Sequence, residues 1–560
     1  MLKDDIAGII ANTSRENANI GNSPAAKMLQ IASAASREYY LDHVIPEDIS
    51  NAHRSGDIHI HDLDYYGKTL TCIHIPLGRL LQEGFDAGNG YVRPPKRSTS
   101  AFALAAIILQ SCQNDMHGGQ SYAHFDRDMA PYIDDDAYQA MEGFIFNLNT
   151  MHSRAGAQVP FSTVNVGCDT SKNGREVTRL LLEVYEKGLG RGETPMFPNI
   201  IFRVKNGVNF NPGDPNYDLF KLACRVCSRR MNPTFSFMDA TFNAPYGSEV
   251  AYMGCRTRVI ANKRGPAISD GRGNLSFTTI NLPRLALKSC GDIGYFFELL
   301  REAIDLTVKQ LMHRFEIQSQ LRVRDMPFLM GQELYLDSGY DPIGPTIANG
   351  TLSIGFIGLA ETLRILYGSH HGEGSNKKGL EIVSFMRQII DHYSCLHDLN
   401  FTLLATPAEG LSGRFVKLDR EQFGIIPGVT DKNYYTNSFH LPVDFKTTIS
   451  HKLEIEGQYH RLTNAGHISY VELSAPPVNN PEAIESIVRQ MYASNIGYGG
   501  INFPIDECRN CGYSGLIEYY CPKCRSFDIS KIRRITGYLA PIDRFNDAKK
   551  SELRDRTCLD

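Results

Sequence analysis

The chain lacks most features that would assign it quickly. Its longest apolar run, Ala101 to Leu109, falls well short of the ~20 residues a membrane-spanning helix needs. It lacks the basic-apolar-small opening of a secretory signal, since Met1 to Asp5 already carries two aspartates. It lacks a strong net charge: 58 Lys and Arg against 62 Asp and Glu leave -4. That balance excludes a protein whose main task is coating nucleic acid. No Walker P-loop is present, and Gly188-Leu189-Gly190 misses the third glycine of the dinucleotide fingerprint. There is no internal repeat, no low-complexity tract and no tryptophan. Nor is the cysteine count even: thirteen thiols cannot all pair within one chain. These absences point to a cytoplasmic enzyme with reduced thiols, whose cysteines are core filler, metal ligands or catalysts.

What is present is ordinary globular composition, 42% hydrophobic and 21% charged over 560 residues. That length calls for two or more units or one large elaborated barrel. Residues 1 to about 60 read as helical, with Asn22-Ser23-Pro24 a helix start, until Gly56 to Asp62 alternates like a short strand. The stretches 100–152 and 175–188 also read as helical. From about 195 strand and helix patterns alternate through Pro198–Val204, Leu219–Arg230, Phe235–Asp239, Phe296–Arg314, Ile354–Tyr367 and Glu381–Leu404. Such alternation favours α/β with much parallel sheet. Residues 501–560 differ: cysteine pairs, a basic stretch, then a polar tail. They are expected to form a small module after a catalytic unit at 1–500.

The cysteines sort by spacing. Cys508-Arg-Asn-Cys511 and Cys521-Pro-Lys-Cys524 give two C-x2-C knuckles nine residues apart. Four thiolates so delivered suit a tetrahedral structural zinc, closed to substrate, that pins a segment without its own core. Cys224-Arg-Val-Cys227 lies inside a helical pattern rather than at a helix start, so it reads as a core pair. Cys255 stands in the loop-like Met253-Gly254-Cys255-Arg256-Thr257, and Cys72 follows Leu70-Thr71. Each alone would pass for a buried structural thiol. Beyond the knuckles, Gly537 sits among bulky neighbours in Arg533-Arg534-Ile535-Thr536-Gly537-Tyr538-Leu539. It is either a turn glycine or a chemical one, because a glycine Cα hydrogen is the easiest backbone hydrogen to abstract.

Read together and in order, these pieces resemble a known family. They are Arg15-Glu16-Asn17-Ala18-Asn19, Gly56 to Asp64, Gly118-Gly119-Gln120-Ser121, Met253 to Arg256, Asn281-Leu282-Pro283-Arg284, Thr406-Pro407-Ala408-Glu409, Tyr435 to His440, Gly466 to Glu472, the four cysteines, and Arg534 to Leu539 with Arg544-Phe545-Asn546. The chain is similar over nearly its whole length to the anaerobic (class III) ribonucleoside-triphosphate reductases, which are glycyl-radical enzymes. The resemblance implies a ten-stranded α/β barrel of two parallel half-sheets. An inner finger loop would carry the thiyl-forming Cys255, and a C-terminal zinc-ribbon module the radical at Gly537. It also implies an S-adenosylmethionine-dependent 4Fe-4S activase, ribonucleoside triphosphates as substrates, a homodimer, and dNTP or ATP effectors. With 14 residues ahead of the first match, no ATP-cone is expected.

The resemblance also assigns roles. The Gly537 radical would take hydrogen from Cys255, and the thiyl would take the 3′-hydrogen of the ribose. Cys72 would serve the opposite face. Asn274 and Met253 match positions associated with formate as reductant, and neither is a cysteine that could supply a second reducing thiol. An asparagine amide can bind a small oxyanion or a ribose hydroxyl without titrating. Glu409 is a candidate hydrogen-bond partner or base at the 3′-hydroxyl, or else a paired structural carboxylate. Asn349 to Ser353 precedes the helical pattern Ile354 to Leu366 and would offer substrate phosphates a helix N-terminus, with Asn349 and Ser353 as contacts; an ordinary N-cap is the plainer alternative. His59 and His61 share a strand face and read as hydrogen-bonded core or site lining. Two rivals stand beside this reading. One is a glycyl-radical lyase or acyl transferase, though the pyruvate-type Cys-Cys pair is missing. The other is a zinc-ribbon nucleic-acid binder, against which the faint basic excess of the tail argues.

Overall fold

The computed structural model describes residues 2–11, 19 and 23–559. The helical reading of 12–18 and the match at Arg15 to Ala18 lie outside them. Helix Pro24–His43 starts where the sequence places it: the Ser23 side chain accepts from the Ala26 N–H, and Pro24 takes the first turn.

Ten strands form the centre. Five run parallel in sequence order: β1 (Ile73–His74), β2 (Gln120–Tyr122), β3 (Ser162–Val166), β4 (Asn199–Val204) and β5 (Thr234–Phe237). The others are β6 (Asn274–Asn281), β7 (Thr351–Ile357), β8 (Asn400–Ala405), β9 (Ser469–Glu472) and β10 (Tyr498–Asn502). Within this second set β6–β7–β8 and β9–β10 pair parallel, and a parallel bridge at Leu404–Gly466 joins them. The two sets meet antiparallel at both seams, β5 against β10 and His74 against Arg272 just before β6. Both seams closed, the ten strands make a barrel of two parallel half-sheets. Gly273 marks the second seam, where a Cβ would stand 1.7 Å from the Cys72 carbonyl oxygen.

Strands β3, β4, β5, β7 and β8 are buried along their whole length, as parallel strands between an inner filling and an outer helical layer must be. The outer layer includes Lys172–Lys187, Tyr217–Arg230, Ile293–Ser319 and Asn376–His397. Cys224 and Cys227 lie mid-helix and buried.

Two sequence expectations fail. Ile354–Ile357 continues strand β7, and the helix begins only at Leu359, after Gly358 in the left-handed region. A strand buried on both faces shows no alternation, so its pattern matches that of a buried helix. Strand β2 also interrupts the stretch read as helix over 100–152, just after the glycine pair Gly118-Gly119.

Because the half-sheets are antiparallel, β5 ends and β6 begins at the same end of the barrel. The connection between them, 238–273, turns inward. Its backbone is held from both walls. The Asn165 side chain of β3 pairs with both N–H and C=O of Tyr252, and Thr163 accepts from the Gly254 N–H. Across the interior the Arg258 N–H donates to Ala465, and the Arg256 guanidinium donates to the Ala405 carbonyl. At the other end sits an antiparallel four-stranded sheet: β11 (Ile505–Cys508), β12 (Ser514–Gly515), β13 (Ile529–Arg534) and β14 (Leu539–Pro541), in the order β12–β11–β13–β14. Among the described residues no helix is long and apolar enough to cross a membrane.

Candidate active site

Two loops arriving from opposite ends of the barrel meet tip to tip. Gly537 occupies the tight turn between β13 and β14, closed by the Ile535 N–H donating to the Tyr538 carbonyl. A Cβ on Gly537 would stand 2.6 Å from the Gly254 carbonyl oxygen and 2.8 Å from the Cys255 Cα. Only a residue without a side chain fits against the finger tip. Met253, buried, and Arg256 close that tip through an Arg256 N–H to Met253 carbonyl bond of 2.8 Å. Arg256 takes φ +105°, a region other residues rarely adopt and one that costs on the order of 1–3 kcal/mol. It is held there by the Thr257–Gly466 bridge, where a Cβ on Gly466 would strike the Arg256 carbonyl at 2.1 Å. The Cys255 sulfur lies 3.4 Å from the Thr257 hydroxyl.

Cys72 sits at the seam beside β6. Its N–H donates to the Asn274 carbonyl at 3.1 Å, and its sulfur accepts from the Asn274 N–H at 3.4 Å. Burial above all, with Cys255 and Asp62 close by, pushes its thiol far above the usual range. Cys72 therefore remains a protonated donor. The Asn274 amide nitrogen donates to the carbonyl and hydroxyl of Thr351 and to the Ser353 hydroxyl at 2.6 Å. Its donors are thus spent, and Oδ1 is buried without a partner among the described residues. Of the two uses the sequence allows, the geometry suits the hydroxyl donor of a ribose rather than an oxyanion.

Asn349 and Ser353 do not form a helix N-terminus. Ser353 lies inside strand β7 and exchanges a hydrogen bond with Thr402 at 2.9 Å, while the Asn349 side chain bonds the 346 carbonyl and Asn262. The phosphate site expected there is not formed by this element. His61 bonds the Thr279 hydroxyl at 2.8 Å and stacks on Phe277; His59 packs edge-on to His61. Burial drives both rings' pKa values down, so they are neutral. Thr279 continues the chain to Thr406 at 2.9 Å. This Ser/Thr lining carries no sequence motif, since it is assembled from three strands.

Glu409 follows β8 and accepts from the Tyr538 hydroxyl on both carboxylate oxygens at 3.2 Å. Tyr538 packs on Phe161 and Phe197. The residue after Gly537 is thereby bonded to Glu409. Sequence reasoning missed Arg556. From behind helix Asp547–Asp555 it donates to the Arg534 carbonyl at 3.2 Å and the Ile535 carbonyl at 3.5 Å, and pairs with Glu552 at 3.0 Å. Its isolated arginine gave no signal in a polar tail.

Cys508, Cys511, Cys521 and Cys524 bring four sulfurs within 4.8 Å of one another, with two pairs at 3.5 and 3.6 Å. A tetrahedral zinc with Zn–S near 2.3 Å sets S···S at roughly 3.8 Å, so the residues fit the ion. Its anchorage to the barrel is direct: Glu507 of β11 accepts from both the N–H and hydroxyl of Thr194.

The chain is 34% identical to an anaerobic ribonucleoside-triphosphate reductase of Escherichia coli K12, covering 99% of this chain and 85% of that protein. It is 33% identical to the enzyme of the same description from Enterobacteria phage T4, covering 99% of each. The fold superposes on the anaerobic ribonucleotide reductase of Thermotoga maritima with dATP bound in its specificity site, with TM-score 0.76, 17% identity, and 97% and 94% of the two chains covered. A family model described as anaerobic ribonucleoside-triphosphate reductase matches residues 16–558, and this chain belongs to that family.

Proposed function

We propose that this chain reduces ribonucleoside triphosphates by passing a radical from Gly537 to Cys255 and on to the ribose C3′, with formate as the reductant. The observation that carries the reading is the backbone contact of Gly537 with the finger tip, which leaves no room for any other side chain. A 2′-hydroxyl on an unactivated ribose is a poor leaving group. Taking the 3′-hydrogen first makes a carbon radical beside it, from which water is lost more readily. Cys72, held protonated by burial, supplies hydrogen from the opposite face. Asn274 Oδ1 accepts from a ribose hydroxyl, and Glu409 serves the 3′-hydroxyl while Tyr538 orients it. Over a turnover the nucleotide loses its 2′-hydroxyl and gains hydrogen, formate is oxidised to carbon dioxide, and one proton is consumed in forming water.

Residues 501–560 then act as the zinc and radical module. The four cysteines would hold zinc, whose contribution is rigidity, since a four-thiolate site has no open position. A radical S-adenosylmethionine activase, dNTP or ATP effectors, with dATP the one named for the Thermotoga structure, a homodimer and an anaerobic cytoplasm complete the reading.

Anaerobic activation followed by electron paramagnetic resonance tests it. A glycyl doublet is expected, with chain cleavage beside Gly537 on exposure to air. Absence of the doublet in zinc-loaded protein treated with a competent activase would sink the proposal. Turnover with a thioredoxin system and none with formate would overturn the choice of reductant.

A further inference from the structure

A cavity of about 130 Å³ lies beside the stem of the finger, at the barrel end away from Gly537. Its walls include Phe242, Arg258, Arg387, Arg461, Thr351 and Thr402. Three of these are arginines, and no Asp or Glu among the described residues lines it. Arg258 donates to Asn243, Phe242 and Asn464. Arg387 gives Nε to Asp391 and one Nη to the Leu462 carbonyl. Arg461 is exposed and forms no ion pair among the described residues. Arg387 also repels the charge of Arg258, adding to the effect of burial on that group. The cavity is cationic and incompletely compensated.

Its floor belongs to the inner wall of the barrel. Thr402 bonds Ser353, and Ser353 accepts from Asn274, which touches Cys72. A carboxylate of three heavy atoms fits that space, which is smaller than the several hundred Å³ of a usual small-molecule pocket.

We infer that this cavity is the entry port for formate, with Arg461 and Arg387 capturing the carboxylate and the Thr402–Ser353–Asn274 chain leading inward. The inference rests on the formate reading above. It also answers a need left by that reading, because the Asn274 donors are already occupied. Formate and nucleotide would then reach the ribose site by separate routes.

The test is the formate dependence of turnover in Arg461→Ala and Arg461→Glu, made in the full chain after activation. The Arg461 side chain is exposed and makes no ion pair among the described residues. The expected result is a rise in KM for formate of about tenfold or more, larger for the glutamate, with KM for the nucleotide and the glycyl signal unchanged. Line broadening of ¹³C-formate by the unactivated protein should weaken in parallel, independently of turnover. Unchanged KM for formate in both variants, with formate-dependent turnover intact in the parent, overturns the port alone. No formate-dependent turnover in the parent overturns the reductant and the port together.

Discussion

Replacing Gly537 by alanine would do more than remove the proposed radical site. The added Cβ meets the Gly254 carbonyl oxygen at 2.6 Å and the Cys255 Cα at 2.8 Å. Ordinary contact begins near 3.4 Å, so the turn must retreat by roughly 0.6–0.8 Å, and backbone atoms on the far side cannot yield as a flexible side chain would. Overpacking of this kind costs about 1–3 kcal/mol. The cost falls on the docking of one turn, so it shifts a local opening equilibrium rather than global unfolding. An equilibrium moved by 1–3 kcal/mol changes roughly 5- to 150-fold. The assay is anaerobic pulse alkylation of the unactivated protein, scored by peptide mass at Cys255 with exposed Cys290 as the reference. Gly537→Ala should raise the Cys255 rate by that factor and leave Cys290 alone. An unchanged ratio would refute the claim that the glycine turn seals the finger tip.

Three further outcomes follow from the same contacts. Cys521→Ser, which breaks the four-sulfur cluster, should abolish bound zinc and cut the glycyl signal on activation at least about tenfold, measured by metal analysis and spin quantitation. Gly273→Ala puts a Cβ 1.7 Å from the Cys72 carbonyl at the barrel seam. It should destabilise by more than ~3 kcal/mol, seen as a lowered inactivation temperature. Burial alone would raise the Glu552 carboxyl, but Lys549 and Arg556 beside it prevail and draw it down to about 2. A depressed carboxylate stabilises fully above its unfolded value, near 4.3, and that stabilisation fades as pH falls toward the folded value. Amide protection across Asp547–Asp555 should therefore be flat above about pH 5 and decline between roughly 4.3 and 2.

Legibility in the sequence tracked how local each device is. The two C-x2-C knuckles are set by spacing along the chain, and the structure gathers all four sulfurs. The caps at Ser23 and the mid-helix position of Cys224 and Cys227 are equally local. The apolar run after Asn349 was misread because full burial erases the alternation that marks a strand. The polar lining from Asn274 through Ser353 to Thr402 had no signal, because serine and threonine on separate strands have no fixed spacing.

By itself, then, the sequence determined the chemistry-bearing residue types, the cysteine spacing, the alternation that favours α/β and, through the resemblance, the family and its barrel. Only the tertiary structure decided where the two thiols singled out by the resemblance come to lie. Cys255 and Cys72 look like core cysteines until an antiparallel seam brings Cys72 against Asn274 and two loops from opposite ends press Gly537 onto Cys255. The physical reason is that radical and proton transfers depend on distances of a few ångströms. Cys255 and Gly537, 282 positions apart in the chain, come this close only when the barrel closes around them.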